Sequence, residues 1–510
     1  MKTITGSKLY DYIQCPHKVW RDVYGPKEEK ITETNPFVEL LWNRGVAHEE
    51  EVVGRLGEYL DLREGKLQDR FVQTVEAMRK GVPLIYQGVL VYGNLKGIPD
   101  LLRRMPDGSY APIEIKSGMG FEGVEGMDDS GEDDSPENGN GKPKKTYAVQ
   151  LCLYIELLDI LGFGGSKRGF IIGADGREAE YFLEQPLGKR NKQTFWEFYE
   201  ETKEQVKNLL NNKVQNKPAM AGSCKLCPWY KSCKNWCKEN KDLTNIFYLG
   251  RSKRDIINED LYVDKVGGML ELDVREIMDR KKKDKNFLKG VGEKTLEKII
   301  ARADILENSK GAVLYRKLNL PEVQYELFFD IEDDPTREFV YLHGVYERSP
   351  EGERFLDFTA RDDSRQAEGD AWQRFWDYIR SLPKDDFAVY YYSPHEKNTY
   401  FKMQKKYPAI ILVEELSEFF NNPNIIDLYK IVLSDTDWPL GSYSIKEIAQ
   451  YLGFSWRDKT PSGALSIQWF NQYLETKKPE DLQRILDYNE DDCKATMVLK
   501  DELVRLDKLK

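Results

Sequence analysis

Between residues 117 and 145 the chain runs SGMGFEGVEGMDDSGEDDSPENGNGKPKK, with eight acids against three lysines. Such a stretch has too few large apolar side chains to offset the entropy of ordering it. It is read as a mobile loop inserted between a strand and a helix, so anything compact here must close around it. Before it, GVLVYGNLKGIPDLLRRMPDGSYAPIEIK reads as three strands, with Pro106-Asp107-Gly108 as a tight turn. After it, Tyr147 to Gly162 carries apolar residues at helical spacing.

At 510 residues the chain exceeds one ordinary core, and roughly three α/β or helical domains are expected. The composition breaks place them at 1–240, 241–322 and 323–510. The most apolar run, YAVQLCLYIELLDILGF, contains Glu156 and Asp159 and does not read as a membrane span. The start, MKTITGSKLYDYIQC, lacks an apolar secretory core, so a cytoplasmic location is expected. Seven cysteines, an odd number, argue against a disulfide framework. The net charge of −11 speaks against a nucleic-acid partner, because phosphate binding is largely electrostatic. The distribution of charge speaks for one: from Arg280 to Arg302 there are nine Lys/Arg and three Asp/Glu.

Two carboxylate patterns carry chemistry. In the first, Asp100 ends a strand in Gly97-Ile98-Pro99-Asp100, and Glu114 and Lys116 share a face of the next strand in Ile113-Glu114-Ile115-Lys116. Two acids and a lysine on one face suit phosphodiester hydrolysis: the acids hold Mg²⁺ or Mn²⁺, and the lysine positions or activates water. Upstream, Gly45-Val46-Ala47-His48-Glu49 lies on a helix; downstream, Gln150 and Tyr154 stand at i and i+4 of another. The ordered set G-x-x-H, G-x-P-D, E-x-K, Q-x-x-x-Y resembles the RecB/AddB branch of the PD-(D/E)XK nucleases. That resemblance implies a restriction-endonuclease-like core with His48, Asp100 and Glu114 as metal ligands and Lys116 as the catalytic lysine. Gln150 and Tyr154 are its supporting motif. An imidazole ligand at His48 would favour Mn²⁺ over Mg²⁺.

Cys224-x2-Cys227-x5-Cys233 and the remote Cys15 would tie the two ends of this module together. Structural zinc usually takes two local pairs, so a triplet plus one suits an iron–sulfur cluster better. The iron–sulfur members of the same nuclease branch share this arrangement, which implies a 4Fe-4S clasp. Cys237 is a spare thiol able to exchange with Cys233, and Cys152 and Cys493 read as core.

In the basic middle, Phe287-Leu288-Lys289-Gly290-Val291-Gly292 precedes a helix beginning at Glu293. Such a turn leaves helix N-terminal amides for phosphate. It resembles a helix-hairpin-helix, with Lys289, Gly290, Gly292 and Lys294 as DNA contacts, and LTNIFYLGRSKRDIINEDLY reads as a degenerate second copy.

The second pattern is Asp330-Ile331-Glu332, after the apolar run Glu326–Phe329, with Tyr488 and Asp492 on one face of a distant helix. The pattern D-x-E … Y-x-x-x-D resembles the DEDD exonucleases of the ribonuclease H-like fold over residues 325–505. This implies metal ligation by Asp330, Glu332 and Asp492 and a water-orienting role for Tyr488. Glu396, after the strand DFAVYYYS, takes the place of the middle acid. Asp427 is the alternative, although it reads as a helix cap.

The whole order resembles the two-nuclease RecB-like proteins. It implies a metal-dependent DNA nuclease acting on single strands or ends in repair, recombination or defence. No Walker-type phosphate loop is present, so any helicase would be a separate partner. The rival readings are a nucleic-acid-binding adaptor with one or no working site, and an RNA exonuclease acting through the C-terminal domain.

Overall fold

The computed structural model describes residues 2–32, 36–122, 141–188, 191–214 and 216–510. It divides into two compact units. One comprises Met1–Pro218 with Gly222–Lys234, the other Ala219–Ala221 with Asn235–Lys510. No helix among the described residues is long and apolar enough to cross a membrane.

The first unit is built on a six-stranded mixed sheet whose middle strands are Leu101–Arg104 and Tyr110–Ile115. Tyr110–Ile115 is buried throughout, pairing antiparallel with Leu101–Arg104 and parallel with Arg168–Ile172. A strand covered on both faces needs apolar residues nearly everywhere, which makes Glu114 conspicuous. The segment 88–116 forms four strands rather than three. Gly93 at φ +58° folds Leu90–Tyr92 back onto Leu95–Gly97, a hairpin that the apolar pattern hides. The turn at Pro106-Asp107-Gly108 is as expected, closed by the Gly108 amide on the Met105 carbonyl at 2.9 Å.

Helix Lys145–Ile160 buries eleven of its sixteen residues, among them Cys152 in the core. Of the acidic insertion, Phe121–Glu122 pairs with Lys142–Pro143; residues 123–140 lie outside the described residues.

The second unit opens with short helices (Arg251–Leu261, Val274–Lys283, Glu293–Glu307) around a core that includes Leu249, Leu288 and Val291. It continues into a five-stranded sheet. In chain order its strands are Tyr325–Asp334, Phe339–Ser349, Gly352–Thr359, Phe387–Tyr391 and Ile425–Asp427; in space they run third, second, first, fourth, fifth. The first three pair antiparallel, and the fourth and fifth join parallel. Leu327, Phe329 and Ile331 point to a cluster with Trp372, Phe375 and Tyr400. Phe328 points the other way, to a cluster with Cys493, Leu499 and Leu503 on helix Pro479–Lys508. Two cores thus cover the sheet, and strand alternation sends Asp330 and Glu332 to the face of that last helix.

Candidate active sites

The C-terminal acids meet because a small residue lets a helix come close. Asp330 lies opposite Gly344 in the sheet. A Cβ on Gly344 would stand 1.6 Å from Asn489 Oδ1, so this strand position must be glycine for the helix to dock. Asn489 Nδ2 then donates to Asp330 Oδ2 at 2.8 Å and reaches Glu332 Oε1 at 3.5 Å. One turn on, Asp492 completes a group in which ligand oxygens of Asp330, Glu332 and Asp492 all lie within 4.8 Å of one another. Its neighbour Asp491 is turned away by Arg457, whose backbone amide and Nε donate to it at 2.8 and 2.9 Å.

This group is short of compensating charge. Desolvation first, and then the neighbouring carboxylates of Asp492, Glu332 and Glu396, raise the Asp330 pKa well above its usual range. Glu332 is pushed up to about 8 by burial and by Asp492. Burial also raises Asp492. Lys446, on helix Ile445–Tyr451, is the cation that opposes these shifts. All three oxygen donors suit a hard divalent cation, and the raised affinity for protons is what crowded carboxylates show where a metal belongs.

The hydrogen-bond polarity around Tyr488 is fixed. Lys446 Nζ donates to its hydroxyl at 2.7 Å. An ammonium only donates, so the tyrosine's own proton goes to Asp492, with which it shares a hydrogen bond. Trp456 Nε1 gives Asp492 a further donor at 2.8 Å. Tyr341 donates to Ser466 Oγ at 2.8 Å, which leaves the serine proton for Glu332. The sequence reading missed Lys446, Trp456 and Ser466. Asn489 has no place in the D-x-E … Y-x-x-x-D pattern, although a polar residue in the buried stripe of an amphipathic helix is a signal.

Glu396 lies outside the three-acid group but close enough to Asp330 to raise its pKa; its own is pushed up to about 7 by burial. It is held by Ser393, whose hydroxyl donates to Glu396 Oε2 at 3.1 Å and accepts from the His395 amide at 3.0 Å. Ser393 sits at φ +148°, ψ 165°, a region essentially reserved for glycine, and such strain collects at functional sites. Asp427 caps helix Leu428–Asp435 through the Tyr429 amide at 3.0 Å.

The N-terminal pattern also assembles, with a different balance. Asp100 Oδ2 accepts from the Ile115 amide at 2.7 Å, and its Oδ1 accepts from Gln87 Nε2 at 2.9 Å. Lys116 forms an ion pair with Glu114. Against the lowering effect of burial, Glu114 and Asp100 hold the lysine protonated above its ordinary range. Tyr154 shares a hydrogen bond with Glu114, and Gly97 makes room for its ring, which a Cβ there would meet at 2.5 Å. Gln150 is buried one helical turn away.

The helix Pro36–Gly54 contributes a residue that the motif did not indicate. Glu49 Oε1 accepts from Tyr86 Oη at 2.8 Å and from Gln87 Nε2 at 3.0 Å, so the Gln87 amide bridges Glu49 and Asp100. Adjacent His48 has a buried Nε2 with no hydrogen-bond partner among the described residues. Gln87 itself holds φ +55°, a turn geometry that gave no sequence signal.

The cysteines are unbridged. Cys227 and Cys233 are electrostatic neighbours of Cys15 and Cys224; burial raises both thiols, Cys233 to about 12. Cys237 instead lies buried in the other unit, accepting from Thr244 Oγ1 at 3.8 Å. Cys493 is core beneath Asp330, its thiol on the Gly344 carbonyl at 3.6 Å.

In the basic region Gly290 adopts φ +79°, Gly292 caps helix Glu293–Glu307, and Lys289 and Lys294 are exposed. Lys281 ties back the loop carbonyls, donating to Val291 O at 2.9 Å.

Residues 327–504 match the family model described as the RNase_H superfamily. The matched span begins in the strand carrying Asp330 and Glu332 and ends in the helix carrying Asp492. This part of the chain is a ribonuclease H-like domain, the mark of a nuclease-type nucleic-acid hydrolase, a class that uses Mg²⁺ or Mn²⁺. No curated protein and no solved structure matches the chain.

Proposed function

We propose that the protein is a metal-dependent nuclease that trims the 3′ ends of DNA single strands at Asp330, Glu332, Asp492 and Glu396. A second site at Asp100, Glu114 and Lys116 would cut phosphodiesters in the RecB-like unit. The observation that carries the reading is the convergence of three acids, drawn from a strand and a helix, in a matched ribonuclease H-like domain. A divalent ion bound there would supply the charge that polarises the phosphodiester and acidifies water. The chain's own part is to arrange what surrounds that chemistry. Tyr488 donates a hydrogen bond to Asp492 and accepts one from Lys446, so one lone pair remains to accept from the attacking water and orient it. Asn489 and Ser466 fix the carboxylate rotamers of Asp330 and Glu332.

In the first unit His48, with Glu49 beside it, supplies the helix contribution, and Gln150 and Tyr154 support the lysine. Four thiols that neighbour one another without a disulfide fit a 4Fe-4S cluster on Cys15, Cys224, Cys227 and Cys233. Lys289, Gly290, Gly292 and Lys294 would hold the DNA backbone. A second reading, in which only the C-terminal site hydrolyses, is favoured by one observation: Glu114 is already ion-paired with Lys116.

End-labelled single- and double-stranded DNA and RNA, incubated with Mn²⁺ and either wild type, Lys116→Ala or Asp330→Ala, test the proposal. It predicts that Asp330→Ala abolishes 3′ trimming and that Lys116→Ala abolishes the remaining cuts. Cleavage that survives both substitutions together sinks it, and a preference for RNA replaces the DNA assignment.

A further inference from the structure

Two turns of the second unit are built on one plan. In the later one Gly290 at φ +79° is followed by buried Val291 and by Gly292 at φ −88°, ψ 172°, which caps a helix without a side-chain hydrogen bond. In the earlier one Tyr248 at φ +68° is followed by buried Leu249 and by Gly250 at φ −78°, ψ 176°, again capping a helix without one. Where the later turn has the residue that suits a left-handed backbone, the earlier turn has a tyrosine, whose side chain disfavours it. The residue is 65% exposed. Local folding does not select a large ring there, so its reason lies outside the turn.

Behind Tyr248 runs a line of rings. Phe247 meets it edge-on at 5.0 Å and stacks on Tyr443 at 3.7 Å. Arg302 covers Phe247 at 5.0 Å and is anchored by Asp437 at 2.7 Å, which makes this base rigid. The Tyr443 carbonyl accepts from the Tyr392 hydroxyl, and the Tyr392 ring lies 5.2 Å from that of Tyr429. Tyr392 directly precedes Ser393, which holds Glu396. Tyr248 is also near enough to influence Tyr429 electrostatically. Cations accompany the rings: Arg251 and Lys253 begin the helix after Gly250, and exposed Lys430 follows Tyr429. No acid lies between Phe247 and Arg254.

We infer that Tyr248 and Tyr429, backed by the packed Tyr392, form a base-stacking track leading a nucleic-acid single strand to the carboxylate group, with Lys253 and Lys430 on its phosphates. Stacked rings interleaved with cations are how proteins hold single strands without reading sequence, since every base has a π-face. The inference rests on the proposed nuclease reading and names how its substrate arrives.

The test is equilibrium binding of a twelve-nucleotide DNA carrying 2-aminopurine at successive positions from its 3′ end. The full-length protein is used in EDTA, so no cleavage intervenes. Tyr248→Gly removes the ring but keeps a residue suited to the backbone, so its melting temperature should not fall. Its affinity should drop roughly tenfold, with loss of the 2-aminopurine signal at one position, while Tyr248→Trp retains both. Wild-type affinity and signal in Tyr248→Gly would overturn the track, as would an equal loss on blunt duplex. Tyr248-dependent binding with no Mn²⁺-dependent hydrolysis by wild type would support the track and refute the nuclease reading. No binding by wild type would refute both.

Discussion

The two carboxylate groups are made from similar residues and solve opposite problems. Around Asp100 and Glu114 the protein supplies its own counter-groups: a backbone amide, the bridging amide of Gln87 and the Lys116 ammonium. Around Asp330, Glu332 and Asp492 it supplies neutral donors from Asn489, Ser466, Tyr488 and Trp456, with Lys446 as a counter-charge behind the Tyr488 hydroxyl. The second group has three acids to the first group's two. The difference lies in the cation: in the first group Lys116 pairs directly with Glu114, although burial and Glu114 still hold the Asp100 pKa well above its usual range, whereas in the second Lys446 acts from the Tyr488 hydroxyl.

That contrast can be broken in order of expected effect. Asp330→Asn should lower Mn²⁺-dependent hydrolysis by roughly a thousandfold; calorimetry should show metal affinity lost with it, whereas Asp100→Asn should cost the protein less of its total metal binding. Equal losses would mean that the first site is as metal-hungry as the second. Next comes pH. A carboxyl whose folded pKa is raised binds more protons folded than unfolded, so its contribution falls as pH rises from its unfolded value through its folded one. With Glu332 at about 8 and Glu396 at about 7, the metal-free second unit should lose on the order of 2 kcal/mol or more between pH 5 and 8. Saturating Mn²⁺ should restore it, and denaturant melts at both pH values decide the matter.

Gly344→Ala tests the packing beneath the acids. Its Cβ would collide with Asn489, so a loss of about 1–3 kcal/mol and weakened metal binding are expected; unchanged melting would show that the helix is free to shift. The smallest effect is expected at Ser393. Glycine there should relieve backbone strain and raise stability slightly. Because it also removes the donor to Glu396, a higher Mn²⁺ requirement for hydrolysis should accompany the gain.

The parts legible in sequence were those that a local pattern encodes. Alternation placed Asp330 and Glu332 on one strand face, and helical spacing put Tyr488 and Asp492 on one helix face. The same reasoning found Asp100, Glu114, Lys116 and the Gln150/Tyr154 pair. Patterns encode faces but not partners. Lys446, Trp456 and Ser466 come from segments with no motif of their own and become neighbours only when the last helix docks. Gln87 depends on a left-handed turn that no glycine announces. Strand Gly352–Thr359, which reads GERFLDFT, escaped because its exposed edge mixes charges with apolar residues.

The Asp330–Asn489 hydrogen bond joins residues 159 positions apart. At roughly 5–20 residues per second of synthesis, a growing chain carries its first two acids for roughly 10–30 s before the third can reach them. During that interval the half-made domain has the strand but no assembled acid group, so this carboxylate site has no existence as a partly built intermediate and arises only when the helix carrying Asn489 and Asp492 has been made and docked.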